Sequence, residues 1–443
     1  MEDIYLPNID EYKYSERHTF YRSEKLEISP EELEKINSFQ RTSVSPVTIP
    51  PPPIPLDVII DTDIGTDLDD SLALLYSLHL PNINILGITT MYGPSKLRAS
   101  IAQKICDAYW AYHPEKPHFP IIAGASSSCG SHRSIFLGGH EGDGLFTPEE
   151  IEQISGSWKD PNKSKEFNQT SASEFINKTA LEHPGLTIIS IGIPTNIALA
   201  LKSNPNLPSK IREIVLMGCG SYFTSTKKYQ IGNYSPTSDL WDSSYNNSKY
   251  DPPFKLPADD REANQFLFTG HPIILFPNHN LSADTLASKI LFDTPNLHIR
   301  IIAHAVTSKL WLEGDAITYL QNSAKEFFSE KQNKEENKEE GKKEKNPTPA
   351  NIVGVLLTKW FKLRGGNGNG QCPHDPLTVY EAAFGGKQSR VVYVPGNLVL
   401  HEWAAYSTFI PNVNGNHLLG FDVIAPHNFL NHLSQTLMIK DDH

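Results

Sequence analysis

The sequence predicts an α/β protein: one large domain whose mostly parallel central sheet is flanked by helices. Three observations predict it. From Leu56 onward, apolar runs of strand length alternate with amphipathic runs of helix length. The connections have the β–loop–α rhythm that a parallel sheet needs. The first strand candidate runs straight into a turn bearing five aspartates, at the carboxyl end where such sheets bind ligands.

Leu56 to Ile60 is a short apolar run with two β-branched isoleucines, a buried strand. After the acidic turn, Ser71 to Leu78 has the apolar spacing of a helix. Ile83 to Thr90 is the next strand, followed by an amphipathic helix over Ser95 to Tyr112. Phe119–Gly124 and Leu186–Gly192 are further strands, the second leading through Pro194-Thr195-Asn196 into the helical run Ile197–Leu201. Ile211–Met217 and Pro272–Phe276 repeat the theme. The stretch Arg390–Lys440 adds strand-like runs and a helix around Asn428–Met438.

Other stretches stand apart from this rhythm. Residues 1–55 read as a polar, disordered arm, closed by the extended spacer Ile49-Pro50-Pro51-Pro52-Pro53-Ile54-Pro55; a ligand for SH3 or WW domains is the other reading. The domain proper spans 56–443. Within it, Ser128–Phe146 is a Gly/Ser/His-rich loop, and Tyr222–Pro257 is an insertion of little periodicity. The Lys/Glu-rich segment Ser329–Asn346 reads as solvated and mobile, or as a frayed helix.

Composition excludes several classes. A net charge of -12 argues against an electrostatic nucleic-acid binder. Four widely spaced cysteines without a C-x-x-C pair indicate neither a zinc ribbon nor a disulfide framework. The start lacks a basic and an apolar leader region, and no apolar run is long enough to span a bilayer. A reduced, soluble, cytoplasmic protein without membrane or nucleic-acid partners is expected.

The acidic turn is Asp61-Thr62-Asp63-Ile64-Gly65-Thr66-Asp67-Leu68-Asp69-Asp70. One or two aspartates ahead of a helix are ordinary caps. Five exceed what capping needs, and a helix N-terminus cannot neutralise them all. Carboxylates crowded this closely repel or hold protons unless a cation joins them, and their hard oxygens suit calcium or magnesium. Three other constellations are weaker alone. Cys372-Pro373-His374-Asp375-Pro376-Leu377 can be a helix start with Asp375 as its cap. Gly192-Ile193-Pro194-Thr195-Asn196 can be a plain strand-to-helix turn. Gly138 to Leu145 can be a surface turn or a loop that closes over a pocket.

Together these pieces resemble the inosine–uridine-type nucleoside hydrolase family. Its D-x-D-P-G-x-D-D-x-x-A-L signature is matched in two halves by Asp61–Gly65 and Asp69–Leu74, with two extra residues between them and Ile64 in place of proline. Its I-G-P-L-T-N-I-A-L-A segment resembles Ile191–Ala200, its M-G-G resembles Met217-Gly218-Cys219, and its H-D-P-L is His374–Leu377. The stretch from His140 to Leu145 resembles its H-G-x-D-G-L loop. The matches fall in the family's order from Leu56 onward.

The resemblance implies a nucleoside-hydrolase-like, Rossmann-like domain that hydrolyses ribonucleosides with Ca2+. The implied metal ligands are Asp63, Asp70, the Thr195 carbonyl and Asp375. Asp63 would act as general base, and His374, with a pKa near neutrality, would protonate the leaving base. Asp69 would hold the ribose, with Asp67 as the alternative because of the two extra residues, and His140 lies in the loop beside it. Relatives in the family are oligomeric, so the resemblance leaves a homo-oligomer open, while the insertions here hide the subunit interface from the sequence. The chain departs from the family at Pro94, where an Asn is usual. It departs again in the later G-N-x-x-x-x-x-E-F-N segment, where it carries Asn233, Asp239 and Trp241, with Asn246 as a shifted substitute. Two rival readings follow. A non-catalytic calcium- and nucleoside-binding scaffold rests on Pro94 and Trp241, and a haloacid dehalogenase-type phosphatase rests on Asp61-x-Asp63.

Overall fold

The structure is a computed structural model, and it describes residues 30–39, 42, 44–47, 49–130, 137–156, 171–220, 222–223, 273–275, 278–336, 346–364, 370–401 and 406–441. Its strands in chain order are β1 (Leu56–Thr62), β2 (Ile83–Thr90), β3 (Ile121–Ala123), β4 (Leu186–Ser190), β5 (Ile211–Met217), β6 (Tyr222–Phe223), β7 (Ile273–Leu275), β8 (Ile299–Ile302), β9 (Leu312–Glu313), β10 (Gly370–Gln371), β11 (Val391–His401), β12 (Tyr406–Pro411) and β13 (His417–Val423). Eleven of them form one sheet in the order β3-β2-β1-β4-β5-β8-β13-β11-β12-β7-β6, and β9 and β10 pair separately.

The first seven strands of that order run parallel, as the alternating runs predict. Side chains alternate across β1, and both faces are covered. Val58 and Ile60 face one core with Ile189, Val215 and Ile302, against the helices Asp69–Leu78, Ser95–Tyr112, Pro349–Arg364 and His374–Ala383. Ile59 faces the other core with Ile188, Ile214 and Ile301, against Ser171–Glu182, Thr195–Ser203 and Thr285–Asp293. A strand buried on both faces must be apolar throughout, which is why β1 and β4 read as continuous hydrophobic runs.

Beyond β13 the sheet turns antiparallel through β11, β12, β7 and β6. This extension is not flat. β6 lies six ladder steps from β5, roughly 29 Å in a flat sheet. The chain from Met217 to Tyr222 can span at most about 18 Å. The sheet therefore coils back, and the Cys219 thiol is hydrogen-bonded to Ser407 of β12.

Within the arm read over residues 1–55, the described residues from Pro30 onward contact the domain. A helix over Pro30–Ser38 packs on β11, burying Ile36 against Val399 and Ile410. Val47 bridges Tyr393, and the Ile49 carbonyl accepts from the Gly386 amide at 2.5 Å. Pro50 and Pro51 lie so close to Gly385 that its Cβ would meet the Pro50 oxygen at 2.4 Å. The start of the proline run thus lies against the domain, while Pro53, Ile54 and Pro55 are exposed. In the Lys/Glu-rich segment, a helix over Asp315–Glu336 continues into the charged residues as far as Glu336. Of the insertion at 222–257, only the two residues of β6 are described.

Candidate active site

After β1 the chain goes to β2 and β3 on one side, then returns to β4 and β5 on the other. The crevice between the carboxyl ends of β1 and β4 is the switch point where ligands of such sheets bind. The two strand ends approach closely there. A Cβ on Gly192 would lie 2.6 Å from the Asp63 amide nitrogen and 2.7 Å from Met91 Sδ, so only glycine fits.

The acidic turn leaves β1 at Thr62, whose hydroxyl donates to the Asp70 carboxylate and accepts from the Ile64 amide at 3.1 Å. Ile64 and Leu68 are buried and pin the turn to the core. Gly65 bends it at φ 112°, in the left-handed region. The helix Asp69–Leu78 then begins with Leu68 at its cap position and no side-chain cap. The helix His374–Ala383 likewise starts after Pro373 without a side-chain cap. Neither Asp69, Asp70 nor Asp375 is spent as an N-cap. All three lie in first helical turns, where the helix dipole favours negative charge.

Carboxylate oxygens of Asp69, Asp70 and Asp375 lie within 4.8 Å of one another, and all three residues are buried. Burial first, and then the neighbouring carboxylates, push each of their pKa values well above the usual range. Three buried oxygen donors that cannot all ionise by themselves are what a hard divalent cation would satisfy.

The resemblance had given Asp69 to the sugar and Asp63 to the metal. Asp69 lies in the carboxylate triplet, and Asp63 lies outside that grouping but close enough for its charge to raise the pKa values of Asp69, Asp70 and Asp375. Asp67 is also outside, half-buried, with Oδ1 accepting from the Leu68 amide at 3.0 Å. The Asp63 carboxylate faces His279, whose Nε2 is 4.0 Å away. Thr195 begins the Thr195–Ser203 helix after β4, buried, its hydroxyl donating to Asp284 Oδ2 at 2.8 Å.

His374 does not have the near-neutral pKa expected of it. Its ring is half-buried, hydrogen-bonded through Nδ1 to the Thr307 hydroxyl at 2.5 Å and stacked on His304 at 5.0 Å. Burial, then the charge of His304, hold its pKa well below the usual histidine value. It is a neutral imidazole that can offer a hydrogen bond. His140 is half-buried, with Nδ1 enclosed and without a hydrogen-bond partner. Asn233, Asp239, Trp241 and Asn246 lie outside the described residues.

Several supporting residues carried no motif. Arg98 is fully buried in the Ser95–Tyr112 helix, and its guanidinium donates to the carbonyls of Asp63, of Ile64 at 3.0 Å and of Tyr92 at 2.8 Å. It also donates to the Thr66 hydroxyl at 3.0 Å, which in turn donates to Glu141 at 2.9 Å. Glu141 accepts the amides of Gly138 at 2.6 Å and Gly139 at 3.0 Å, so the glycine loop is tied to the acidic turn. Asn280 bridges the ends of β4 and β5 by donating to the carbonyls of Ile191 at 2.9 Å and Met217 at 3.1 Å. The only sequence signal for Arg98 was a charge on an otherwise apolar helix face.

The profile of the inosine-uridine preferring nucleoside hydrolase family matches residues 58–402, more than three quarters of the chain. The chain belongs to that family. Among similar relatives is uridine nucleosidase 1 of Arabidopsis thaliana, 30% identical over 184 residues, covering 41% of this chain and 48% of that protein. The pyrimidine-specific ribonucleoside hydrolase RihB of Escherichia coli O157:H7 is 26% identical over 221 residues, 49% of this chain and 58% of that one. This nucleoside hydrolase family member spans about half the length of the curated relatives it matches. Two solved structures share its fold. An inosine-guanosine nucleoside hydrolase superposes with a TM-score of 0.53 at 15% identity, and a plant nucleoside hydrolase with 0.51 at 16%. Each likeness covers 87% of this chain and 100% of the other. Membership in this family removes the basis for the haloacid dehalogenase-type reading.

Proposed function

We propose that this family member is a calcium-dependent ribonucleoside hydrolase that cleaves the N-glycosidic bond to give ribose and free base. The observation that carries the reading is the buried triplet Asp69, Asp70 and Asp375 beside Asp63, at the sheet's switch point. Asp70 and Asp375 belong both to this triplet and to the ligand set the resemblance implies, and they would hold the ion together with the Thr195 carbonyl. Asp63 and Asp69 flank it. When bound, the cation would supply Lewis acidity, lowering the pKa of water and balancing the carboxylates.

The chain's own residues do the rest. Asp63 is positioned to take a proton from the attacking water, its backbone fixed by Arg98 and its carboxylate facing His279. Attack at the anomeric carbon passes through an oxocarbenium-like state, which the surrounding carboxylates stabilise electrostatically. Asp69 would hold the ribose hydroxyls, as the resemblance implies. His374, as a neutral donor, would hydrogen-bond the departing base rather than protonate it as an imidazolium. The names of the relatives make uridine the first substrate to try.

The test is a panel of ribonucleosides scored for free ribose with and without a chelator. Calcium-restored release of ribose from at least one nucleoside is expected. Tight nucleoside binding without ribose release would establish the non-catalytic reading, which rests on Pro94 and Trp241 standing where the family has Asn. Phosphate release from nucleotides, without ribose release, would overturn both.

A further inference from the structure

The two helices that bring Asp69, Asp70 and Arg98 to the site both end in histidine. His79 is the C-terminal cap residue of Asp69–Leu78, and His113 that of Ser95–Tyr112. Their rings converge on Asp441, in the segment after the helix Pro426–Leu437. His79 Nε2 is 3.1 Å and His113 Nε2 2.7 Å from the same oxygen, Asp441 Oδ1. The Asp441 side chain is 1% exposed, and its Oδ2 is buried without a hydrogen-bond partner among the described residues.

The protons decide what this cluster is for. His79 Nδ1 lies 3.0 Å from the Leu75 carbonyl oxygen, which can only accept, so Nδ1 carries the hydrogen. Neutral His79 then aims a bare lone pair at a carboxylate oxygen. Two acceptors that close repel unless a proton or a metal ion lies between them. Nδ1–H on a backbone carbonyl with Nε2 left free is how metal-bound imidazoles are oriented. His113 Nδ1 faces Glu115 Oε1 at 3.9 Å, an ion-pair distance that is too long for a hydrogen bond. The Tyr109 ring packs 5.4 Å from His79 and 4.4 Å from His113, fixing both.

We propose that His79, His113 and Asp441 form a transition-metal site of the zinc class, separate from the acidic cluster, that fastens two helix ends to the segment after the last helix. Two imidazole nitrogens and one carboxylate make a donor set for zinc rather than calcium. Around a tetrahedral zinc ion, ligand atoms stand roughly 3.3 Å apart. The 3.1 Å separation is close to that, and the 2.7 Å one would open by about 0.6 Å. His113 is 27% exposed, which leaves a side for water as fourth ligand. Protonated histidines would serve Oδ1 alone and leave Oδ2 bare, whereas a cation can engage both oxygens. The ten residues of Asp69–Leu78 separate the two centres by about 15 Å.

The test uses the full chain, stripped of metal and then held in excess Ca2+ so that the acidic cluster is occupied. Zn2+ titrated by calorimetry should add one equivalent and raise the melting temperature, and Co2+ should give the intense visible bands of a four-coordinate site. His113→Gln and His79→Gln should each weaken Zn2+ binding by roughly a hundredfold while the calcium response is unchanged. Equal zinc affinity in wild type and His113→Gln would overturn the assignment. So would a wild type that takes up no zinc, or one whose melting temperature follows histidine protonation but not zinc.

Discussion

At the scale of single residues, the carboxylates divide into two kinds by what surrounds them. Asp375 belongs to the triplet and Asp63 does not. Asp375→Asn should therefore remove both turnover and the calcium-dependent rise in melting temperature. Asp63→Asn should lower kcat by about a thousandfold and keep most of that rise. Loss of the calcium response in Asp63→Asn would return it to the ligand set. His374→Ala should slow release of some bases more than others, read as kcat across the nucleoside panel. An equal loss for every base would count against its contact with the leaving group. The aspartates were legible in the sequence because five carboxylates after a buried strand have no structural use at that density. Arg98 and His279 were not. An arginine on an amphipathic helix reads as solvated, and His279 follows a long stretch without periodicity, so only the folded chain brings each to the turn.

At the scale of elements, the site depends on how tightly β1, β4 and the Ser95–Tyr112 helix hold the acidic turn. Gly192→Ala puts a methyl group against the Asp63 amide. It should cost about 1–3 kcal/mol in urea unfolding and lower kcat more than it changes KM, because Asp63 shifts. Arg98→Met removes a buried cation whose partners are mostly main-chain carbonyls. A loss of about 3 kcal/mol is expected by denaturant titration, since those carbonyls cannot reach water. The parallel half of the sheet was readable because β1, β2, β3, β4, β8 and β13 are each followed by a helix. The antiparallel extension was less so, since β11, β12 and β13 follow one another without helices. The contacts of the Pro-rich stretch were not readable for a physical reason: extended proline has the same local conformation whether it spans solvent or lies on a surface, and the partner, Gly385-Gly386, is more than 300 residues away.

At the scale of the whole molecule, the core carries a pH dependence that needs no active-site group. His417 of β13 accepts a hydrogen bond from the Leu398 amide at 2.8 Å. Burial, then the charges of Lys35 and His298, hold its pKa at about 3, with Asp293 opposing them. Its ordinary value is 6.5, so between about pH 6.5 and 3 the unfolded chain binds the extra proton. Stability should fall as the pH drops through that window, by up to ~1.4 kcal/mol per pH unit from this residue. In His417→Gln the slope of unfolding free energy against pH should be smaller by that amount, and an unchanged slope would show that His417 is protonated in the folded state.

The buried Arg98 clamp has one more consequence. A single guanidinium holds a turn that carries Asp63, Asp67, Asp69 and Asp70, in a molecule whose formal charge is already -12. With a divalent ion in place, the carboxylates it leaves unneutralised would give the mouth of the crevice a negative potential. Uncharged sugars enter such a mouth freely, and a phosphate monoester meets repulsion before any contact is made. The acidic wall would thus sort nucleosides from nucleotides at the door, and adding salt should narrow the gap between them.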